Sequence, residues 1–241
     1  IGSGLFLLGV TILYNITGHL LLPSLHDSVV ALYESGQYHI PLSTSICLIT
    51  VGLAIKSGLF PFHYWMPDTY GYSTPCSSGI LSGLVSKGYI FFLLKVIFSG
   101  FGADVFYRSG MQNVLFLFGL CGMIFGSIGA IQETDIFRML ANSSAAQIGY
   151  VYLGIGISPE AGVIGALYHI LAHAITKPVL FLSVLGIAIL INMGTNIIFG
   201  EISFLSNAVG AVLQLACSMD YSIFLLHAFT QERATGAEPE Q

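Results

Sequence analysis

Apolar residues fill the chain in runs of about 20, separated by short polar or proline-bearing stretches. A helix that crosses a bilayer needs about 20 consecutive, mostly apolar residues. The runs do not alternate apolar and polar positions, so helices rather than a β-barrel are expected. The pattern predicts spans over residues 2–22, 42–59, 76–99, 111–131, 138–157 and 162–182, and a last one over 206–229. Residues 162–194 read as one broken helix or two, which makes seven or eight transmembrane helices in all. Residues 23–40 read as a loop. KSGLFPFHYWMPDTYG, residues 56–71, reads as an interfacial corner in which Pro61 and Pro67 stop helix propagation on either side of His63.

Composition supports this division. The chain is 55% hydrophobic and 8% charged, with mean hydropathy +0.84. Soluble domains carry about 25% charged residues, so the fold class is an all-α integral membrane protein. The net charge is −5, but much of the acid lies in loops and in the C-terminal tail, and no nucleic-acid partner is implied. Cys47, Cys76, Cys121 and Cys217 show no CxxC spacing and mostly sit in apolar runs, as reduced packing residues do. No nucleotide loop, flavin motif or iron–sulfur spacing is present, so no cofactor is expected and redox chemistry would belong to partner subunits. The first residues, IGSGLFLLGV, already read as membrane helix without an initiating Met, so a fragment lacking its N-terminal portion is expected. Lys and Arg are too few and too evenly spread to orient the spans.

Against this background the polar groups inside spans carry the chemistry. His169, His173 and Lys177 follow one another at intervals of four, which places them on one helical face. A charged Lys at bilayer depth costs about 2.5–3.5 kcal/mol on insertion scales, so such groups face a bundle interior or a wet cavity. Pro178 follows at once and is expected to kink or break the helix beside Lys177. Lys87 lies near the middle of a Gly- and Ser-rich span, too deep to reach the interface easily. Lys95 lies two turns further along roughly the same face. Lys56 is near a span end, where it can snorkel, and Tyr64 and Trp65 suit interfacial anchoring. The fifth span is polar in its first half, through Asn142, Ser143, Ser144 and Gln147. Asp220 lies in the body of the last span. His169 and His173 have the spacing of a zinc pair, but no carboxylate or Cys lies nearby on that helix and a Lys occupies the next turn, so no metal is expected.

KSGLFPFHYWMPD, the helix reading LVSKGYIFFLLKV, DIFRMLANSSAAQIGYVYLGIG and ALYHILAHAITKPVLFL occur in an order and spacing that resemble one family. It comprises the antiporter-like subunits of respiratory complex I, the large subunits of Mrp-type Na+/H+ antiporters and their relatives in membrane-bound hydrogenases. The resemblance covers about residues 1–183. It implies a membrane subunit that moves protons, or exchanges Na+ for protons, through a buried Lys/His relay with broken helices near Lys87 and Lys177. Lys87, His169, His173 and Lys177 match the family's pathway positions. Lys56, Lys95, Asp220 and Tyr221 are secondary candidates. Lys56, His63, Trp65, Pro67 and Asp68 match the family's helix-ending corner, a structural or gating element. The implied partners are other membrane subunits, H+ or Na+ and the lipid bilayer, and the implied location is a multi-pass place in a prokaryotic inner membrane. Three positions depart from the family's usual residues: Phe137 stands for Lys, Asn142 for Tyr and Pro178 for Ala.

Residues 184–241 resemble a second family, the membrane segments of resistance-nodulation-division permeases of the MMPL branch, on the Asp220-Tyr221 pair in mid-helix. This resemblance implies a two-part chain, with a partial antiporter-like domain over 1–183 and a permease-like segment with a polar tail over 184–241. The expected junction, near 181–187, has the character of a fused or misassembled reading frame. A proton-driven exporter fragment is therefore the alternative function.

Overall fold

The computed structural model describes residues 1–198. Among them every regular element is helical. The chain begins with α1 (Gly2–Thr17), α2 (Leu22–Ser35) and α3 (His39–Ser57). A 3-10 turn, Phe62–Tyr64, leads into α4 (Trp65–Tyr72). Next come α5 (Pro75–Ile80), a π-helical segment Leu81–Val85, α6 (Ser86–Val96) and a second π-helical segment Ile97–Phe101. They are followed by α7 (Ala103–Arg108), α8 (Met111–Gln132), α9 (Ile136–Ile157) and α10 (Ala161–Ile198).

Four helical stretches are long and apolar enough to cross a membrane: His39–Tyr72, Pro75–Phe101, Met111–Gln132 and Ala161–Leu190. The pair α1 and α2 passes the same test together, bent by 70°. The expected first span over 2–22 is thus shorter, and the expected loop over 23–40 is mostly helix. The cause is local. Gly18 takes a left-handed conformation, φ 71, and its N–H bonds the Tyr14 carbonyl at 2.8 Å, which closes α1. Pro23 falls in the first turn of α2, where a missing N–H costs nothing. Only Leu25 and Val29 of α2 are buried, one turn apart, so its apolar stripe is too narrow to stand out in the sequence.

The corner differs in a second detail. Gly58, φ 89, ends α3, but Pro67 lies in the first turn of α4 and does not stop it. Further on, Asp135 caps α9, its Oδ1 accepting from the N–H groups of Phe137 and Arg138 at 2.8 and 2.9 Å. Close backbone approach then packs α9 against α8. A Cβ on Gly126 would lie 2.7 Å from the Ala146 nitrogen, and one on Gly149 would lie 2.6 Å from that of Met123. Small residues permit this approach where lipid and side chains are equally apolar and only contact distance is left to gain. α9 falls short of the apolar test because of its polar half, yet Leu140, Ala141, Asn142, Ser144, Ala145 and Ala146 are all buried.

α10 carries Pro178 inside a continuous helix, so the expected break, or split into two helices, is absent. The interruption is a lost hydrogen bond: Pro178 has no N–H to give the Ala174 carbonyl. Near Lys87 the departure from α geometry takes the form of the π-helical segment Leu81–Val85. The chain is an all-α, multi-pass membrane protein.

Candidate functional site

The site is built where the Leu81–Val85 segment, α6, α9 and α10 meet. Lys87, one residue into α6, is 3% exposed, and so is Lys177 on α10. Burial at this depth demands partners for the ammonium groups. The π-helical segment provides one for Lys87. There the Ser82 carbonyl accepts from Lys87 Nζ, and the Leu81 carbonyl, which takes the Ser86 N–H, also accepts from Ser86 Oγ at 3.3 Å.

Lys177 reaches across to α9. Its Nζ donates to Ser143 Oγ at 2.8 Å and to the Leu140 carbonyl at 3.2 Å. Ser144 Oγ donates to that same carbonyl at 2.8 Å and lies 3.0 Å from Ser82 Oγ. One polar seam therefore runs from Lys87 through Ser82 and Ser144 to Lys177 inside the bundle.

His169 and His173 continue the α10 stripe, their rings parallel within 6° with centroids 6.4 Å apart. His173 is 6% exposed and His169 half-buried, and the Nε2 atom of each is buried without a hydrogen-bond partner among the described residues. Two ring nitrogens able to take or give a proton thus lie on the face that bears Lys177. Among the described residues no group of three His, Cys, Asp or Glu is arranged to hold a metal ion.

The secondary candidates are scattered. Lys56 Nζ lies 5.0 Å from the Tyr89 ring centroid, a cation–π contact between α3 and α6. Lys95 is exposed. Asp220 and Tyr221 lie outside the described residues. At the corner, His63 is buried and stacks on Tyr64 at 4.6 Å, and Pro67 is buried, whereas Trp65 is 40% exposed. Asp68 Oδ1 pairs with Arg138 Nη1 at 3.2 Å, and Arg138 Nε lies 3.3 Å from Glu133 Oε2, so the corner is tied to the start of α9. Asn142 Nδ2 donates to the other oxygen of Glu133 at 3.3 Å. Phe137 stacks on Phe181 of α10 at 6.0 Å.

Sequence reasoning left Ser82, Ser143 and Ser144 without a role. Their signal was present as hydroxyls at membrane depth in two different spans, but nothing local says that they meet.

Known proteins resemble this chain in sequence and in fold. The chain is 35% identical over 190 residues to NADH-quinone oxidoreductase subunit N of Desulforudis audaxviator, covering 76% of this chain and 36% of that protein. It is 33% identical over 180 residues to a Na(+)/H(+) antiporter subunit of Alkalihalophilus pseudofirmus, covering 75% and 35%. The chain spans about a third of the length of the curated relatives it matches. Among solved structures, a chain of the Mrp complex from a Dietzia species matches with a TM-score of 0.67 at 28% identity, covering 76% of this chain and 32% of that one. A chain of the archaeal membrane-bound sulfane sulfur reductase matches with a TM-score of 0.66 at 25% identity, covering 75% and 36%. Residues 1–227 match the family described as NADH:quinone oxidoreductase/Mrp antiporter, TM, a match that runs well past residue 184. With this match over most of its length, the chain belongs to that family.

Proposed function

We propose that the chain forms part of a membrane subunit that moves protons, or exchanges Na+ for protons, across the bilayer within a multisubunit assembly. Lys87 and Lys177 are the proton-carrying groups, and His173 and His169 extend the path along α10. The observation that carries this reading is the pair of buried lysines joined by a continuous polar seam. Two ammonium groups at this depth, with no carboxylate bonded to either among the described residues, are costly to keep charged together. A proton arriving at one site therefore favours release from the other, which is the behaviour a translocation path needs. The relatives named above are subunits of an NADH-quinone oxidoreductase and a Na(+)/H(+) antiporter, which supports a place among other membrane subunits. The alternative, a proton-driven exporter segment, rests on Asp220 and Tyr221. The family match through residue 227 favours the first reading.

The test is proton movement in membrane vesicles carrying the full-length subunit in its assembled complex. Lys87→Ala and Lys177→Ala each abolish coupled proton movement while the complex still assembles. His169→Ala and His173→Ala are milder, because water replaces part of a relay His. Normal pumping in both lysine variants would sink the assignment.

A further inference from the structure

Ser82 and Ser144 are both 0% exposed, on segments 62 residues apart in sequence, and each lies beside the acceptor of a different lysine. Ser144 Oγ has one proton and gives it to the Leu140 carbonyl at 2.8 Å, so in the 3.0 Å contact Ser82 is the donor and Ser144 the acceptor. The order is then directional. The Ser82 hydroxyl donates to Ser144, Ser144 donates to the Leu140 carbonyl, and Lys177 donates to that carbonyl from the other side at 3.2 Å. Ser82 also presents the carbonyl that holds Lys87.

We propose that Ser82 and Ser144 are positioning residues that couple the two lysines, so that the hydrogen bonding of Lys177 to Leu140 sets the placement of the Ser82 carbonyl that receives Lys87. This inference rests on the ion-moving role proposed above. The Leu140 carbonyl lies inside α9 and already takes the helical N–H of Ser144, so Lys177 and the Ser144 hydroxyl share one crowded acceptor. When Lys177 loses its proton, its hydrogen bond to this fixed carbonyl weakens, the Ser144 hydroxyl bond to it strengthens, and the change passes through one hydroxyl contact to the π-helical segment. Chains of buried hydrogen bonds polarise one another, and the low local dielectric strengthens the effect. Packing by itself does not require the pair. Ser144 is already satisfied by the carbonyl one turn back on its own helix, and an apolar residue of similar size at both positions leaves no polar group orphaned.

The experiment uses the full-length subunit in its assembled complex, in vesicles whose acidification is followed with a pH-sensitive dye. Ser82→Ala and Ser144→Ala are each expected to lower coupled proton uptake about tenfold, the scale of one buried hydrogen bond. The double variant S82A/S144A falls no further than the worse single, because one link is broken once. S144T, which restores a hydroxyl, recovers most of the rate. Two independent packing defects would instead multiply to about a hundredfold loss, and that result overturns the inference. Unchanged uptake in S82A and S144A, with Lys87→Ala and Lys177→Ala still inactive, overturns the inference and leaves the ion-moving role standing. Normal uptake in the lysine variants overturns both. Should S144A fail to assemble, the S82A rate decides by the same criterion.

Discussion

Gly83 sits against Pro178: a Cβ added to Gly83 would lie 2.5 Å from Pro178 Cγ and 3.1 Å from the Ala174 carbonyl oxygen. That carbonyl is the one Pro178 leaves without its helical N–H partner. The π-helical segment beside Lys87 is thus seated directly on the weakened turn of the helix that bears Lys177.

Filling this contact is expected to be costly. Gly83→Ala lowers the stability of the assembled subunit by about 1–3 kcal/mol, the usual range for overpacking. Pro178→Ala removes the ring atoms in the way and returns an N–H to Ala174. The double variant G83A/P178A is therefore more stable than G83A, measured as the midpoint of thermal unfolding in detergent. A G83A midpoint equal to that of the parent would show that the two helices are not held at this distance.

Ser57 and Tyr152 make a second buried pair, at 2.7 Å, that ties α3 to α9. Ser57 Oγ already donates to the Ala54 carbonyl at 2.8 Å, so Tyr152 is the donor between them. Ser57→Ala leaves a fully buried phenol without an acceptor and costs about 1–3 kcal/mol. Tyr152→Phe removes the donor itself and costs less, about 1 kcal/mol. Chemical denaturation of the three proteins side by side checks the order, and the reverse order would mean the phenol finds another partner.

Tyr107 on α7, between two spans, gives a pH dependence. It donates to the Ile155 carbonyl at 2.6 Å, and burial pushes its hydroxyl up to about 12 from an ordinary value of 10.0. The folded state resists ionisation here, so this stabilisation is complete below about pH 10 and is lost as pH rises from about 10 to about 12. The alkaline loss of stability is expected to be smaller in Tyr107→Phe. The difference in phenolate absorbance between the two proteins, followed against pH, locates the titration. A phenolate appearing near pH 10 in the folded protein would contradict the burial.

Much of the fold was legible because it rests on local patterns. Apolar runs of span length predicted the long helices, and α8 and α9, Met111–Gln132 and Ile136–Ile157, fall within about two residues of the expected limits. α2 was not legible, because a helix with Leu25 and Val29 as its buried positions depends on neighbours to cover them. The break expected at Pro178 was a sound local inference, since proline removes an N–H. Close packing against Gly83 and Gly79 holds the helix together there instead.

What the sequence by itself determined was the set of groups that need an explanation: Lys87 in mid-span, and His169, His173 and Lys177 on one face. Four-residue spacing and the cost of charge in lipid are properties of a single helix, so no fold was needed to see them. Only the tertiary structure decided how those groups are held. Lys177 takes its partners 34 and 37 residues away, Ser82 meets Ser144 across 62, and Lys87 finds an acceptor where the helix widens. A hydroxyl's role is set by the atom about 3 Å from it. When that atom is on another helix, only helix packing brings it there.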